Sequence, residues 1–116
     1  MIKRSHELKR QVNKEFLGGK GQVELTHFLD KEDAAGTGRL FSISMLTPGS
    51  SIGFHVHNGD FENYYILKGK AMVTEDDGSK HYLEAGDVMF TPNGSGHAIE
   101  NVGEDNLEYI ALILFD

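Results

Sequence analysis

The stretch Gly49–Gly69, GSSIGFHVHNGDFENYYILKG, decides how the rest of the chain is read. One residue separates His55 from His57, and on a strand residues two apart point to the same face. Both imidazoles can then converge on one ion as neutral nitrogen ligands, at the roughly 2.0–2.2 Å that divalent metals require. Glu62 follows the loop Asn58–Phe61 and opens the next apolar stretch, so a hairpin there returns its carboxylate over the two histidines. Further out, His97 directly follows the Pro92–Gly96 turn, from which a strand can re-enter the same interior. Any one of these residues alone reads as a satisfied polar side chain. Together, with glycines and a proline around them, they read as one metal site.

The sequence on either side has the punctuation of an all-β domain. From Gly21 onward short apolar stretches recur with Gly, Pro, Asn or Asp between them. Strands are expected at Gln22–Leu29, Arg39–Leu46, Ser51–His57, Glu62–Leu67, Lys70–Glu75, Lys80–Leu83, Asp87–Thr91, His97–Asn101 and Leu107–Phe115. Asp77-Gly78 is a strong hairpin signal, and Pro48-Gly49 and Pro92-Asn93-Gly94 mark sharp bends. Short strands at such even spacing point to a sandwich or a barrel. Residues 5–16 alone have helical character, with Ser5 as N-cap and Gly18-Gly19 as the stop. The division expected is an N-terminal arm over residues 1–20 and one barrel domain over residues 21–116.

Composition narrows the function. A chain of 116 residues forms one domain and leaves no room for a second catalytic one. Cysteine is absent, so any metal must use nitrogen and oxygen ligands, which excludes thiolate zinc fingers and iron–sulfur clusters. The formal charge of −7 comes with no concentrated basic face, so no nucleic-acid partner is expected. The opening MIKRSHELKRQ has no apolar segment behind its positive charges, and no apolar run reaches the length of a membrane span. The expectation is a cytoplasmic protein that binds no membrane.

At this point the chain resembles a family. Gly49, five residues, His55-x-His57, four residues, Glu62, six residues, Gly69 fits the first cupin motif, G(X)5HXH(X)3–4E(X)6G. Gly86, five residues, Pro92-x-Gly94, two residues, His97, three residues, Asn101 fits the second, G(X)5PXG(X)2H(X)3N. The resemblance implies a double-stranded β-helix, a small jelly-roll barrel. It also implies that His55, His57, Glu62 and His97 ligate one divalent transition metal. Three histidines and a carboxylate suit Mn, Fe, Co, Ni or Zn and leave coordination positions open for a small molecule. Gly49, Gly69, Gly86 and Gly94 should sit at turns needing positive φ or close backbone approach, and Asn101 should brace a turn.

Alternation places further residues. Counting from Glu62 and His97, the side chains of Tyr64, Ile66 and Ile99 face inward, and Phe54, Val56, Tyr65 and Leu67 form an apolar outer surface. The last strand is apolar on both faces, with Leu107, Tyr109, Ala111, Ile113 and Phe115 on one and Ile110, Leu112 and Leu114 on the other. Its second face needs a cover, either the N-terminal arm or a second subunit, and a homodimer is expected. Tyr64 and Arg39 are the candidate catalytic residues. The Tyr64 hydroxyl can hydrogen-bond a ligand or a metal-bound water, and Arg39, at a barrel mouth, can hold a carboxylate. The rest of the interior is poor in cations, which argues against phosphosugar substrates. His6, His27 and His81 lie outside both motifs. The leading expectation is an enzyme acting on a small polar, oxygen-rich molecule bound to the metal, by dioxygenase, decarboxylase, isomerase or lyase chemistry. The rival is a non-catalytic binder or sensor of a sugar or carboxylate.

Overall fold

The structure, a computed structural model describing residues 1–116, is built almost wholly from antiparallel strands. In chain order these are β1 (Arg10–Lys14), β2 (Gln22–His27), β3 (Gly38–Leu46), β4 (Ser51–Val56), β5 (Asp60–Lys68), β6 (Lys70–Thr74), β7 (Lys80–Glu84), β8 (Val88–Thr91), β9 (Gly96–Asn101) and β10 (Leu107–Phe115). They form a six-stranded sheet in the order β1-β2-β3-β10-β5-β8 and a four-stranded sheet in the order β4-β9-β6-β7. This is the all-β, double-stranded β-helix architecture. Every strand expected from Gln22 onward is present, with ends moved by a residue or two. No helix is long and apolar enough to cross a membrane.

Period-two alternation sets the interior. Along β10, Leu107, Tyr109, Ala111 and Ile113 are buried, as are Asp60, Glu62, Tyr64 and Ile66 along β5. The register pairs Ala111 with both Ser42 and Tyr64, and Ile113 with Glu62, so these inward side chains form rows across the sheet. Val23, Leu46, Ile52, Val73, Met89 and Ile99 close the apolar core from both sheets. Tyr64, Ile66 and Ile99 all face inward, and Phe54, Val56, Tyr65 and Leu67 are exposed, as alternation required.

Glycine conformation is decisive where strands turn. Gly69, between β5 and β6, has φ +93°, and a Cβ there would lie 2.8 Å from the Asn106 carbonyl oxygen. Gly49, Gly86 and Gly94 also take the positive φ expected of them. Asn101 braces a loop, as expected: its side-chain amide donates to the carbonyls of Leu46 and Asp105, each at 2.8 Å, and its oxygen accepts from the Gly103 N–H.

Three expectations are corrected. Residues 5–16 do not form a helix: a single 3-10 turn at Ser5–Glu7 gives way to β1, which pairs antiparallel with β2 from Arg10–Thr26 to Lys14–Gln22. A lone, mostly polar helix of that length is marginal in water, whereas the open edge of β2 satisfies the backbone at once. Because β1 extends that edge, the arm does not cover β10, whose Ile110, Leu112 and Leu114 stay only half-buried. Finally, Phe54 and Val56 lie on the four-stranded sheet and Tyr65 and Leu67 on the six-stranded one, so they do not share one patch. The apolar outer row of the larger sheet is instead Ile43, Ile110, Tyr65 and Val88, aligned across four strands.

Candidate metal centre

The two sheets bring His55, His57, Glu62 and His97 together inside the barrel. One donor atom from each lies within 4.8 Å of all the others. His55 on β4 is the cross-strand partner of His97 on β9. His57 follows β4, and its backbone is stitched to the Pro92–Gly96 turn: its N–H donates to the Ser95 carbonyl at 3.0 Å, and its carbonyl accepts from the Gly94 N–H at 2.7 Å. Glu62 on β5 stands opposite Thr91 on β8. The turn that the second motif encodes is thus the part that fixes His97 against His57.

The donor spacing is that of a coordination shell. The Glu62 Oε1 lies 2.9 Å from His97 Nε2 and 3.0 Å from His57 Nε2. The His97 Nε2 is 3.1 Å from His55 Nε2 and 3.2 Å from His57 Nε2. Neighbouring ligands at bonds of about 2.1 Å and angles of 90–109° stand roughly 3.0–3.4 Å apart, and these four separations match a first-row divalent cation, while the remaining pairs lie within 4.8 Å. His57, Glu62 and His97 are buried, and His55 is partly exposed.

Each imidazole is held from behind. The Nδ1 atoms face the Gly53 carbonyl for His55 at 2.8 Å, the Asp60 carboxylate for His57 at 2.7 Å and the Thr91 hydroxyl for His97 at 2.7 Å. With Nδ1–H donating to those oxygens, each Nε2 presents a lone pair to the common centre. Sequence reasoning missed Asp60 and Thr91. The parity of β5, which turns residues 60, 62, 64 and 66 inward, carries a signal for Asp60; Thr91 is visible only once β8 is paired with β5.

Electrostatics follow the same geometry. These shifts belong to the metal-free protein, where an Nε2 that carries a proton can donate to Glu62 instead of offering a lone pair: burial pushes the Glu62 carboxyl up, but hydrogen bonds from His57 and His97 outweigh it and hold its pKa down to about 2. The hydrogen bond to Glu62 lifts His57 above the usual imidazole value, against the opposing effect of burial. Burial lowers His55. Tyr64 is raised well above the ordinary phenol value by burial and by the Glu62 charge, so its hydroxyl stays protonated and acts as a donor. Its ring stacks on His97 with centroids 4.9 Å apart, and its oxygen is 3.4 Å from His97 Nε2, at the edge of the donor cluster.

Arg39 is not among the donors. Its Nε donates to Asp60 Oδ2 at 2.8 Å, which ties it to the cluster one residue removed. A cleft of about 640 Å³ borders Arg39 together with Lys9, His27 and Lys31, but none of the four donor residues lines it. The donor cluster therefore lies inside the barrel, apart from that cleft.

Residues 42–113 match the family model for the cupin domain. The chain is a cupin. Over 114 residues, 98% of this chain and 93% of the other, this cupin is 46% identical to a Thermotoga maritima protein named oxalate-binding protein. It superposes with a TM-score of 0.93 on the crystal structure of a predicted oxalate decarboxylase from Thermotoga maritima, at 43% identity and full coverage of both chains. A stretch of 73 residues, 60% of this cupin, is 33% identical to the oxalate decarboxylase of Bacillus subtilis but spans only 19% of that longer protein.

Proposed function

We propose that His55, His57, Glu62 and His97 hold one divalent transition metal, and that this centre binds a small carboxylate-bearing acid, with oxalate the first candidate. The observation that carries the reading is the convergence of three Nε2 atoms and one carboxylate oxygen on a single buried point. Glu62 is the only formally charged donor, so a divalent cation leaves the centre net positive and suited to an anion. The interior has no lysine or arginine to take that role. A cation held there supplies Lewis acidity toward a ligand oxygen in its open positions. The relative named for oxalate binding, similar over nearly the whole chain, supports the same ligand class.

The residues around the centre favour binding over proton transfer. Glu62 is engaged with two histidines, Arg39 is paired with Asp60, and each histidine has an oxygen behind its Nδ1. That leaves the Tyr64 hydroxyl, a donor suited to orienting a bound carboxylate. A decarboxylase reading draws on the similarity to the oxalate decarboxylase of Bacillus subtilis. Calorimetric titration of metal-loaded protein with oxalate, followed by a formate assay, tests both. Saturable binding that vanishes on metal removal supports the proposal, formate release adds turnover, and no binding by the loaded protein overturns the ligand assignment.

We read the outer row Ile43, Ile110, Tyr65 and Val88 as the homodimer surface. It is apolar across four adjacent strands, and the N-terminal strand leaves it uncovered.

A further inference from the structure

Asp60 is a buried carboxylate, 5% exposed, and its two oxygens face different partners. Oδ1 accepts from His57 Nδ1 at 2.7 Å, and Oδ2 accepts from Arg39 Nε at 2.8 Å. Its place is fixed by the backbone on both sides. The Gly59 N–H donates to the Asn93 side-chain oxygen at 2.8 Å, the Gly59 carbonyl accepts from the Asp116 N–H at 3.0 Å, and Asp60 itself pairs with Phe115 at the end of β10. Of the three histidines, His55 is backed by a peptide carbonyl, His97 by a hydroxyl, and His57 alone by an ionised side chain.

We propose that Asp60 is a positioning residue for the metal centre, holding His57 in the orientation and tautomer that aim Nε2 at the ion, with Arg39 as the brace that keeps Asp60 in place. The inference rests on the reading of His57 as a ligand. A carboxylate behind a ligating imidazole fixes the ring and raises its basicity. Without Arg39, Asp60 would be a second uncompensated negative charge two residues from Glu62 in a buried site, and such a charge is costly. The guanidinium, on a side chain 51% exposed, brings the balancing charge from the surface. Arg39 therefore acts on the centre through Asp60 and is not the anchor of a bound acid.

The test compares wild type with Asp60→Ala, Asp60→Asn and Arg39→Ala in two ways. Zinc affinity is measured by competition with a chromogenic chelator, and the His57 tautomer is read from imidazole nitrogen NMR of the metal-free proteins. Asp60→Ala should weaken zinc binding about 10–100-fold, the usual loss when such a partner is removed. Asp60→Asn, whose amide oxygen still accepts from Nδ1–H, should recover part of that loss and keep the tautomer, which Asp60→Ala should scramble. Arg39→Ala should weaken zinc binding less than Asp60→Ala and leave the oxalate affinity of loaded protein unchanged. Unaltered zinc affinity and tautomer in Asp60→Ala overturn the proposal. Lost oxalate binding with intact zinc affinity in Arg39→Ala overturns the bracing role. Should Asp60→Ala fail to fold, Asp60→Asn carries the test alone, with weakened zinc binding and a retained tautomer expected, and unweakened binding overturning it. A wild type that binds no zinc refutes the metal reading, while the metal-free tautomer comparison still decides the role of Asp60.

Discussion

Replacing Glu62 with glutamine keeps the shape of the donor cluster and removes its one formal charge, so the metal-free protein reports what that charge contributes. The Glu62 carboxyl is held down from 4.5 to about 2 by His57 and His97 despite its burial. At 1.36 kcal/mol per pKa unit, the interaction is on the order of 3 kcal/mol, counted once for the coupled group. The sign is set at both ends of the pH scale. A depressed carboxylate contributes above its unfolded value of 4.5, and that contribution is lost as pH falls toward about 2. His57, raised by Glu62, contributes fully below 6.5 and loses its contribution as pH rises through its folded value. The gap between wild type and Glu62→Gln should therefore be widest between about pH 4.5 and 6.5 and narrow on either side. Urea denaturation in chelator across that range measures it, and in thermal melts the same gap is roughly 10 °C. A gap that is absent, or constant from pH 2 to 8, would refute the reasoning.

The remaining predictions concern the frame around the site. Asn101→Ala strands the buried Leu46 carbonyl and leaves the half-buried Asp105 carbonyl and Gly103 N–H without their partner, and should destabilise the fold by about 2–3 kcal/mol in urea unfolding. Gly69→Ala should be much worse than Gly78→Ala: both glycines have positive φ, but only Gly69 has a backbone atom where the Cβ would go. The Gly78 change should lose about 1 kcal/mol, and equal losses by calorimetry would contradict the account. Ile110→Glu, at the centre of the outer apolar row, should give a monomer in sedimentation velocity where the wild type is a dimer; the same sedimentation for both would rule this face out.

Much of the fold was legible because the two signals used are local. Strands β5 and β10 alternate so regularly that their inward residues follow from counting, and each of the motif glycines 49, 69, 86 and 94 lies at a turn with positive φ. The N-terminal arm misled because its fate depends on a distant partner: Arg10–Lys14 has no strand pattern of its own and becomes a strand only against β2. Among the site residues, the histidines and Glu62 announced themselves by spacing. Asp60 and Thr91 did not, since what matters is which Nδ1 each faces, and that is set by strand pairing across the barrel. Arg39 was legible as a carboxylate partner, but the carboxylate it holds is Asp60 of its own chain.

Whether four side chains form one metal centre is read most simply from elemental analysis of protein purified without chelators. About one divalent transition ion per chain is expected, lost in a His55→Ala/His57→Ala variant that remains folded. A wild type that carries no such ion, and gains no thermal stability from Mn, Fe, Co, Ni or Zn, would contradict such a centre.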